Sequence, residues 1–320
     1  MDSLYPEGYL LGTAENEERT KSIADLNLTA DRGDIVEATA LLCDAEHNLI
    51  VNLNGIRGIV PREEGAIGIS TGEVRDIALI SRVGKPICFI VERIIEDSSG
   101  RPLAILSRKR AQLRCRRLKL DKLVPGDIIP ARITHFEPFG AFLDVGCGCA
   151  ALLPIDSISV SRISHPRDRF GCGDDIKVIV KSNENGRITL THKELLGTWE
   201  ENAALFSQGQ TVSGIVRSIE EYGVFVELTP NLAGLAEPKE GVFPGQRASV
   251  YIKNLLPEKM KVKLIIIDAF DQGEAKPRPP KLFFDGEHIN KWVYSPEGCG
   301  KYIFTDFTIE NREDKIYNVN

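Results

Sequence analysis

Two stretches of this chain lie over each other without a gap at a displacement of 83 residues: "GDIIPARITHFEPFGAFLDV" from Gly126 and "GQTVSGIVRSIEEYGVFVEL" from Gly209. Gly126 falls on Gly209, Phe139 on Tyr222, Gly140 on Gly223, Phe142 on Phe225 and Asp144 on Glu227. A self-match of this length fixes the architecture before any local motif does, because each copy must fold as the same unit.

Each copy reads as a long strand, a turn at the aromatic-glycine pair and a second strand of alternating character. In "GAFLDV", Ala141, Leu143 and Val145 fall on one face, and Phe142 and Asp144 on the other. A carboxylate belongs in water, so Phe142 is expected to be exposed beside Asp144, and Phe225 beside Glu227. Phe136, whose sister is Ile219, is assigned to the core.

The rest of the second copy supplies "CAALLP", a long polar loop, "IKVIVK" and "RITLTH". Five strands in about 70 residues with one long connection suit a small closed barrel. The third copy follows with "AGLAEP", "RASVYIK" and "KVKLIII". A blurred first copy starts at Gly33 and keeps the strands, but has His47 and Ile50 where the aromatics stand. The fold class is therefore all-β: three tandem five-stranded closed barrels, with short helical linkers and a small C-terminal tail.

The expected boundaries follow. Residues 1–31 are polar, acidic and expected to be only partly ordered. Residues 32–110 form the degenerate barrel, 111–121 a basic linker, 122–194 the second barrel, 195–206 a helical linker and 207–268 the third barrel. A Pro-rich linker, 269–281, leads to a tail, 282–320, whose role the residues do not disclose. In the helical linker, Leu195, Leu196, Trp199, Ala203 and Phe206 recur at helical spacing, which makes Trp199 a packing residue.

Composition narrows the function classes. With 320 residues and 42% hydrophobic content, the chain can bury several cores. It has no apolar run long enough for a membrane span, and no basic-then-apolar amino terminus, so it is expected to be soluble, cytoplasmic and free of membrane partners. A net charge of −6 excludes nucleic-acid binding through bulk charge, so any such binding is local. One segment is locally basic: Ser107 to Lys122 holds eight Lys/Arg against one Asp, and reads as either a phosphate-tracking helix or a solvated linker face.

Seven scattered cysteines fit reduced thiols. Cys147 and Cys149 with Cys172 lack a standard zinc spacing, and small buried residues is the better reading. "GISTG", Gly68 to Gly72, has the spacing of a nucleophile elbow, but no apolar strand runs into it and no histidine stands in a partner motif. No Walker loop, GxGxxG or HExxH occurs. The chain is read as a non-enzyme with no cofactor and no metal.

The combined pattern is a glycine-led strand, aromatic-Gly-x-Phe-aliphatic-acid, "ALLP" or "GLAE", a loop ending "HP…F..GD", and "GRITLTHK". It resembles the S-one RNA-binding repeat of the bacterial ribosomal protein S-one family, which implies that the three five-stranded barrels are OB-folds, barrels of the oligonucleotide-binding type. The resemblance is strong over 122–194, good over 207–268, weak over 32–110 and absent from the tail. It describes a shortened, three-repeat relative.

The resemblance implies that two aromatics flanking the glycine and a basic residue opening the last strand form the nucleic-acid face. These are Phe139, Phe142 and Arg187 in the second repeat, and Tyr222, Phe225 and Lys261 in the third. The third-strand position, often His in the family, is Pro154 and Glu237 here. His165, in "ISHP", is either an RNA contact or a loop-structuring residue. Arg132 and Arg217 on the first strands are expected to track phosphates.

The implied partners are single-stranded RNA, including mRNA, and the small ribosomal subunit through the first repeat. A protein-interaction scaffold in RNA decay or stress response is the alternative.

Overall fold

The structure is a computed structural model that describes residues 4–184, 186–271 and 280–308, together with the backbone of 316–318. Most of the expected Pro-rich linker, 272–279, and part of the tail lie outside the described residues.

Alternating inward side chains close three barrels. The first comprises β1 (Ile35–Cys43), β2 (Leu49–Leu53), β3 (Ile56–Val60), β4 (Pro86–Glu96) and β5 (Pro102–Ser107), arranged β1-β2-β3-β5-β4. Two helices, α1 (Ala14–Arg19) and α2 (Ile23–Arg32), precede it. A short α3 (Ile77–Ile80) precedes β4, and α4 (Arg108–Leu118) follows β5.

The second barrel comprises β6 (Ile128–Glu137), β7 (Gly140–Asp144), β8 (Ala150–Pro154), β9 (Asp175–Glu184) and β10 (Arg187–Thr191). After α5 (Trp199–Ala203) comes the third: β11 (Thr211–Glu220), β12 (Gly223–Thr229), β13 (Leu232–Ala236), β14 (Arg247–Leu256) and β15 (Lys261–Phe270). In every barrel the third and fifth strands pair in parallel, as in Arg57↔Leu103, Leu152↔Thr189 and Leu235↔Lys263. Among the described residues, no helix is long and apolar enough to cross a membrane.

The chain forms two compact units. The first holds Met1–Leu123, Pro130–Arg132 and Asp144–Ala150; the second holds the remainder.

In the first unit, the amino-terminal segment departs from the expectation of partial order. Thr13 and Ser22 side chains cap α1 and α2, and Gly33, at φ 64°, ends α2 in the left-handed conformation that glycine adopts without strain. Leu26 is fully buried in the first barrel's core. Asn16 pairs with the Glu37 backbone in both directions, and the Glu37 carboxylate accepts the N–H groups of Gly8, Leu10 and Leu11. Polar composition misled here because these polar side chains satisfy backbone groups instead of facing water.

The expected basic linker is likewise a packed helix. Arg108 is only 3% exposed and forms a two-pronged ion pair with Glu7, while Ala111 and Cys115 are buried.

In the second unit, Leu195, Trp199 and Ala203 share one core with Val216, Val250 and Leu264 of the third barrel, as the helical stripe predicts. The turn between β12 and β13 ties the segments of this unit together. Asn231 accepts from Val160 N–H and donates to the carbonyls of Lys193 and Gly197, while Ser161 N–H donates to Pro230.

The tail contributes β16 (Lys291–Val293), β17 (Lys301–Asp306) and β18 (Ile316–Asn318), a small antiparallel sheet. Its Trp292, Tyr294 and Phe307 enter the third barrel's core, and the Tyr294 hydroxyl donates to the Asn231 carbonyl at 2.6 Å. The segment whose role the sequence left unread is thus a seated part of this unit.

Candidate nucleic-acid interface

The glycine between the aromatics is required by the approach of a neighbouring strand. A Cβ on Gly140 would lie 2.5 Å from the Leu153 carbonyl oxygen, and one on Gly223 would lie 2.4 Å from that of Ala236. The side chains on either side are therefore displayed past a bare stretch of backbone. Phe139 is 55% exposed and Tyr222 68%, while Phe142 and Phe225 are half-buried.

Both pairs adopt the same edge-to-face geometry. Ring centroids are 6.2 Å apart at 85° for Phe139–Phe142, and 6.1 Å apart at 90° for Tyr222–Phe225. This is a favourable aromatic arrangement that leaves ring faces open.

The second barrel adds a ring that the sequence reading missed. His135 is exposed and lies flat on Phe142, with centroids 4.5 Å apart and planes 7° from parallel. The hairpin register was the signal that could have found it. Its sister Ser218 is the cross-strand partner of Phe225, so position 135 is placed opposite Phe142 by the repeat.

Arg187 opens β10 and is exposed, as Lys261 opens β15 and is exposed. In the third barrel a groove of about 480 Å³ brings Lys261 together with Tyr222, Phe225, Leu235, Lys253 and Lys263. Lys263 follows from alternation, since Lys261 and Lys263 point outward while Val262 and Leu264 are buried. Lys253 comes from β14, next to the Asn254 that pairs with Lys263. Glu237 is exposed at the same groove, 4.0 Å from Lys253. A stacking surface bordered by three ammonium groups is suited to a flat, anionic polymer.

Several expected contacts are engaged elsewhere. Asp144 is buried, not solvated: it accepts the N–H groups of Glu7, Gly146 and Gly148, and burial together with the Glu7 carboxylate pushes its pKa up. Glu227 is also buried, gripped by Arg217 at 2.8 and 3.1 Å and by Arg169 at 2.6 Å. The acids that were read as markers of a wet face are internal struts.

Arg217, with a side chain 12% exposed, also pairs with Asp168, so its head lies in this network. The Arg132 guanidinium donates to the Glu7 carbonyl and covers the Tyr9 ring. His165 caps a short turn by accepting Arg167 N–H on Nδ1, the loop-structuring alternative.

Phe136 is half-buried rather than core: it meets His165 edge-on at 6.2 Å, beneath Arg167. It sits at the frayed end of β6, next to the turn, where the barrel interior has already closed. Pro154 is half-buried at the end of β8.

The thiols also regroup. Cys147 and Cys149 both hydrogen-bond to Cys115, and Cys147 to Cys88 as well, whereas Cys172 is exposed against the Thr134 carbonyl.

Comparison with known proteins shows what the second barrel is similar to. Residues 122–193 match the S1 RNA binding domain.

The chain carries an S1 RNA binding domain.

Outside the S1 domain the likeness extends through most of the chain. It is 28% identical over 256 residues to small ribosomal subunit protein bS1 of Leuconostoc lactis, covering 74% of this chain and 57% of that protein. It is 29% identical over 291 residues to bS1 of Staphylococcus aureus strain COL, covering 84% of this chain and 71% of that one. The chain thus spans little more than half the length of the first of these relatives. Among solved structures, a multidomain protein with nucleic acid binding domains from Streptococcus pneumoniae aligns over 74% of each chain at 15% identity, with a TM-score of 0.25. The S1 match covers the barrel bearing His135, Phe139, Phe142 and Arg187, and the third barrel repeats its ring geometry.

Proposed function

We propose that this chain is a bS1-like binder of single-stranded RNA, acting in the cytoplasm on mRNA with the small ribosomal subunit. The observation that carries the reading is the repeated edge-to-face ring pair, Phe139–Phe142 and Tyr222–Phe225, each displayed beside a glycine forced by the neighbouring strand. Single strands expose unstacked bases, and a ring accepts any of them for about 1–3 kcal/mol per base.

Arg187 in the second barrel, and Lys261 with Lys253 and Lys263 in the third, neutralise phosphates. His135 extends the platform on Phe142. Two modest sites on one chain raise the apparent affinity through effective concentration. The chemistry is binding without a reaction step: bases exchange on the rings and the strand moves through without sequence preference.

The first barrel holds no such pair. Ile50 is buried, and the His47 ring nitrogen Nδ1 lies 3.4 Å from the Asp76 carboxylate. It keeps the closed barrel and is the part assigned to docking on the ribosome.

The test is anisotropy of a labelled oligo-U with the chain carrying Phe139→Ala, Phe142→Ala, Tyr222→Ala and Phe225→Ala together. The reading requires a loss of affinity, and unchanged binding would sink it.

A further inference from the structure

The second basic surface of the chain lies in the first unit, on α4. Helical spacing places Arg110, Leu113, Arg114 and Arg117 on one face of α4. With Arg116 and Asp121 they line a groove of about 560 Å³ floored by Ile90. Four guanidinium groups stand against two carboxylates, Asp121 in the groove and the Glu92 that pairs with Arg110, which leaves a local positive excess in a chain of net charge −6. Arg117 is exposed, and the Arg110 side chain is 55% exposed beside Glu92. Arg116 reaches Asp121 only at 3.8 Å. Arg114 donates to the Gly33 carbonyl that ends α2, which fixes the wall of the groove.

We infer that this face of α4 binds the phosphodiester backbone of single-stranded RNA, as a base-blind contact separate from the aromatic barrels. The inference rests on the RNA-binding reading and adds a site to it. Guanidinium forks match phosphate oxygens two at a time, and arginine is desolvated more readily than lysine.

The first barrel has no edge-to-face ring pair like those of the other two, so a strand held there is gripped chiefly through its phosphates. A strand seated on the two ring pairs is a long polyanion already tethered to the same chain, which raises its concentration at this groove. An acidic peptide would need a separate molecule, and nothing on this face selects carboxylates over phosphates. The exposed Leu113 gives sugar and base edges an apolar rest.

The experiment measures oligo-U binding to the full chain from about 50 to 200 mM salt, where counterion release sets the slope of log K against log salt. Arg110→Gln with Arg117→Gln should reduce the slope by about 1.4, two phosphates at about 0.7 each for a single strand. The reduction should be the same in wild type and in the four-fold aromatic variant, and should extend to an abasic sugar-phosphate oligomer. Arg110→Lys with Arg117→Lys should retain the slope.

An unchanged slope in the glutamine pair overturns the inference. So does a polyglutamate probe whose binding falls in that pair while RNA binding does not. Failure of the stacking reading shows separately, as unchanged affinity of the four-fold aromatic variant.

Discussion

His135 covers one face of Phe142 at 4.5 Å, nearly parallel, and thereby holds the half-buried ring upright at the barrel surface. A stacked pair of this kind contributes about 0.5–1.5 kcal/mol beyond its buried area. His135→Ala is therefore expected to weaken oligo-U binding several-fold with little change in melting temperature, and His135→Phe to restore it. Anisotropy titrations beside thermal melts check this; equal affinity in the alanine variant would remove His135 from the platform.

Exposure separates the two members of each ring pair. Phe139 and Tyr222 are more than half exposed, so replacing either by Ala should cost about 1–3 kcal/mol of RNA binding and leave the urea midpoint in place. Phe142→Ala and Phe225→Ala should lower both, because their inner edges are packed. Urea curves and RNA titrations on the four single variants give the comparison.

Glu37 and His192 give the two units opposite responses to pH. Burial pushes Glu37 up from 4.5 to about 7, against the backbone N–H groups that favour its charge. The folded state therefore holds a proton that the unfolded chain has released, and stability falls as pH rises from about 4.5 through 7. His192 is driven by burial from 6.5 down to about 4; its Nδ1–H donates to the Lys177 carbonyl, and Nε2 is buried without a partner among the described residues. Its share of stability falls as pH drops from about 6.5 towards 4. Each effect is bounded at about 3 kcal/mol, at 1.36 kcal/mol per pH unit. Urea unfolding at several pH values should show Glu37→Gln reducing the loss as pH rises towards 7, with the share of Asp144 remaining, and His192→Phe reducing the loss on the acid side. Identical pH profiles for variant and wild type would refute the assignment.

Glu227 joins Arg169, on the loop between β8 and β9, to Arg217 on β11. Removing the acid leaves a buried guanidinium unpaired, so Glu227→Ala should cost about 3–5 kcal/mol of stability. It also removes one of the ties between this loop and the third barrel, those of Val160 and Ser161 to Asn231 and Pro230 remaining, so the gain from two linked RNA sites should shrink. Denaturation gives the first quantity, and RNA binding to the folded variant gives the second.

The strand count, the barrel closures and the exposed Phe139 and Tyr222 were legible because they rest on periodicity and on an 83-residue repeat, whereas Phe142 and Phe225, expected to be exposed, are half-buried. What was not legible depended on long-range partners. Asp144 and Glu227 have the parity of surface residues, but Glu7 N–H in one case and Arg169 in the other bury them. Arg132 and Arg217 are basic residues on the right strands whose heads are drawn inward by Glu7, Glu227 and Asp168. The amino-terminal helices were misread from composition, since capping and backbone pairing by Asn16, Ser22 and Glu37 leave no hydrophobic period to count. Lys253 and Lys263 are outward by plain alternation, but the repeat motif does not include their positions, and only the closure of β14 on β15 brings them to Tyr222 and Phe225.

Each barrel closes by pairing its third strand with its fifth, and the fifth is the last to leave the synthesising ribosome. Until then the repeat is an open sheet with two unpaired edges, the form most prone to pairing with another chain. Closure therefore proceeds repeat by repeat along the nascent chain. Arg187 and Lys261 stand at the first residue of their closing strands, so each of the proposed RNA faces is completed in the same step that seals its barrel, and on that proposal a half-made repeat has no finished site with which to capture a message.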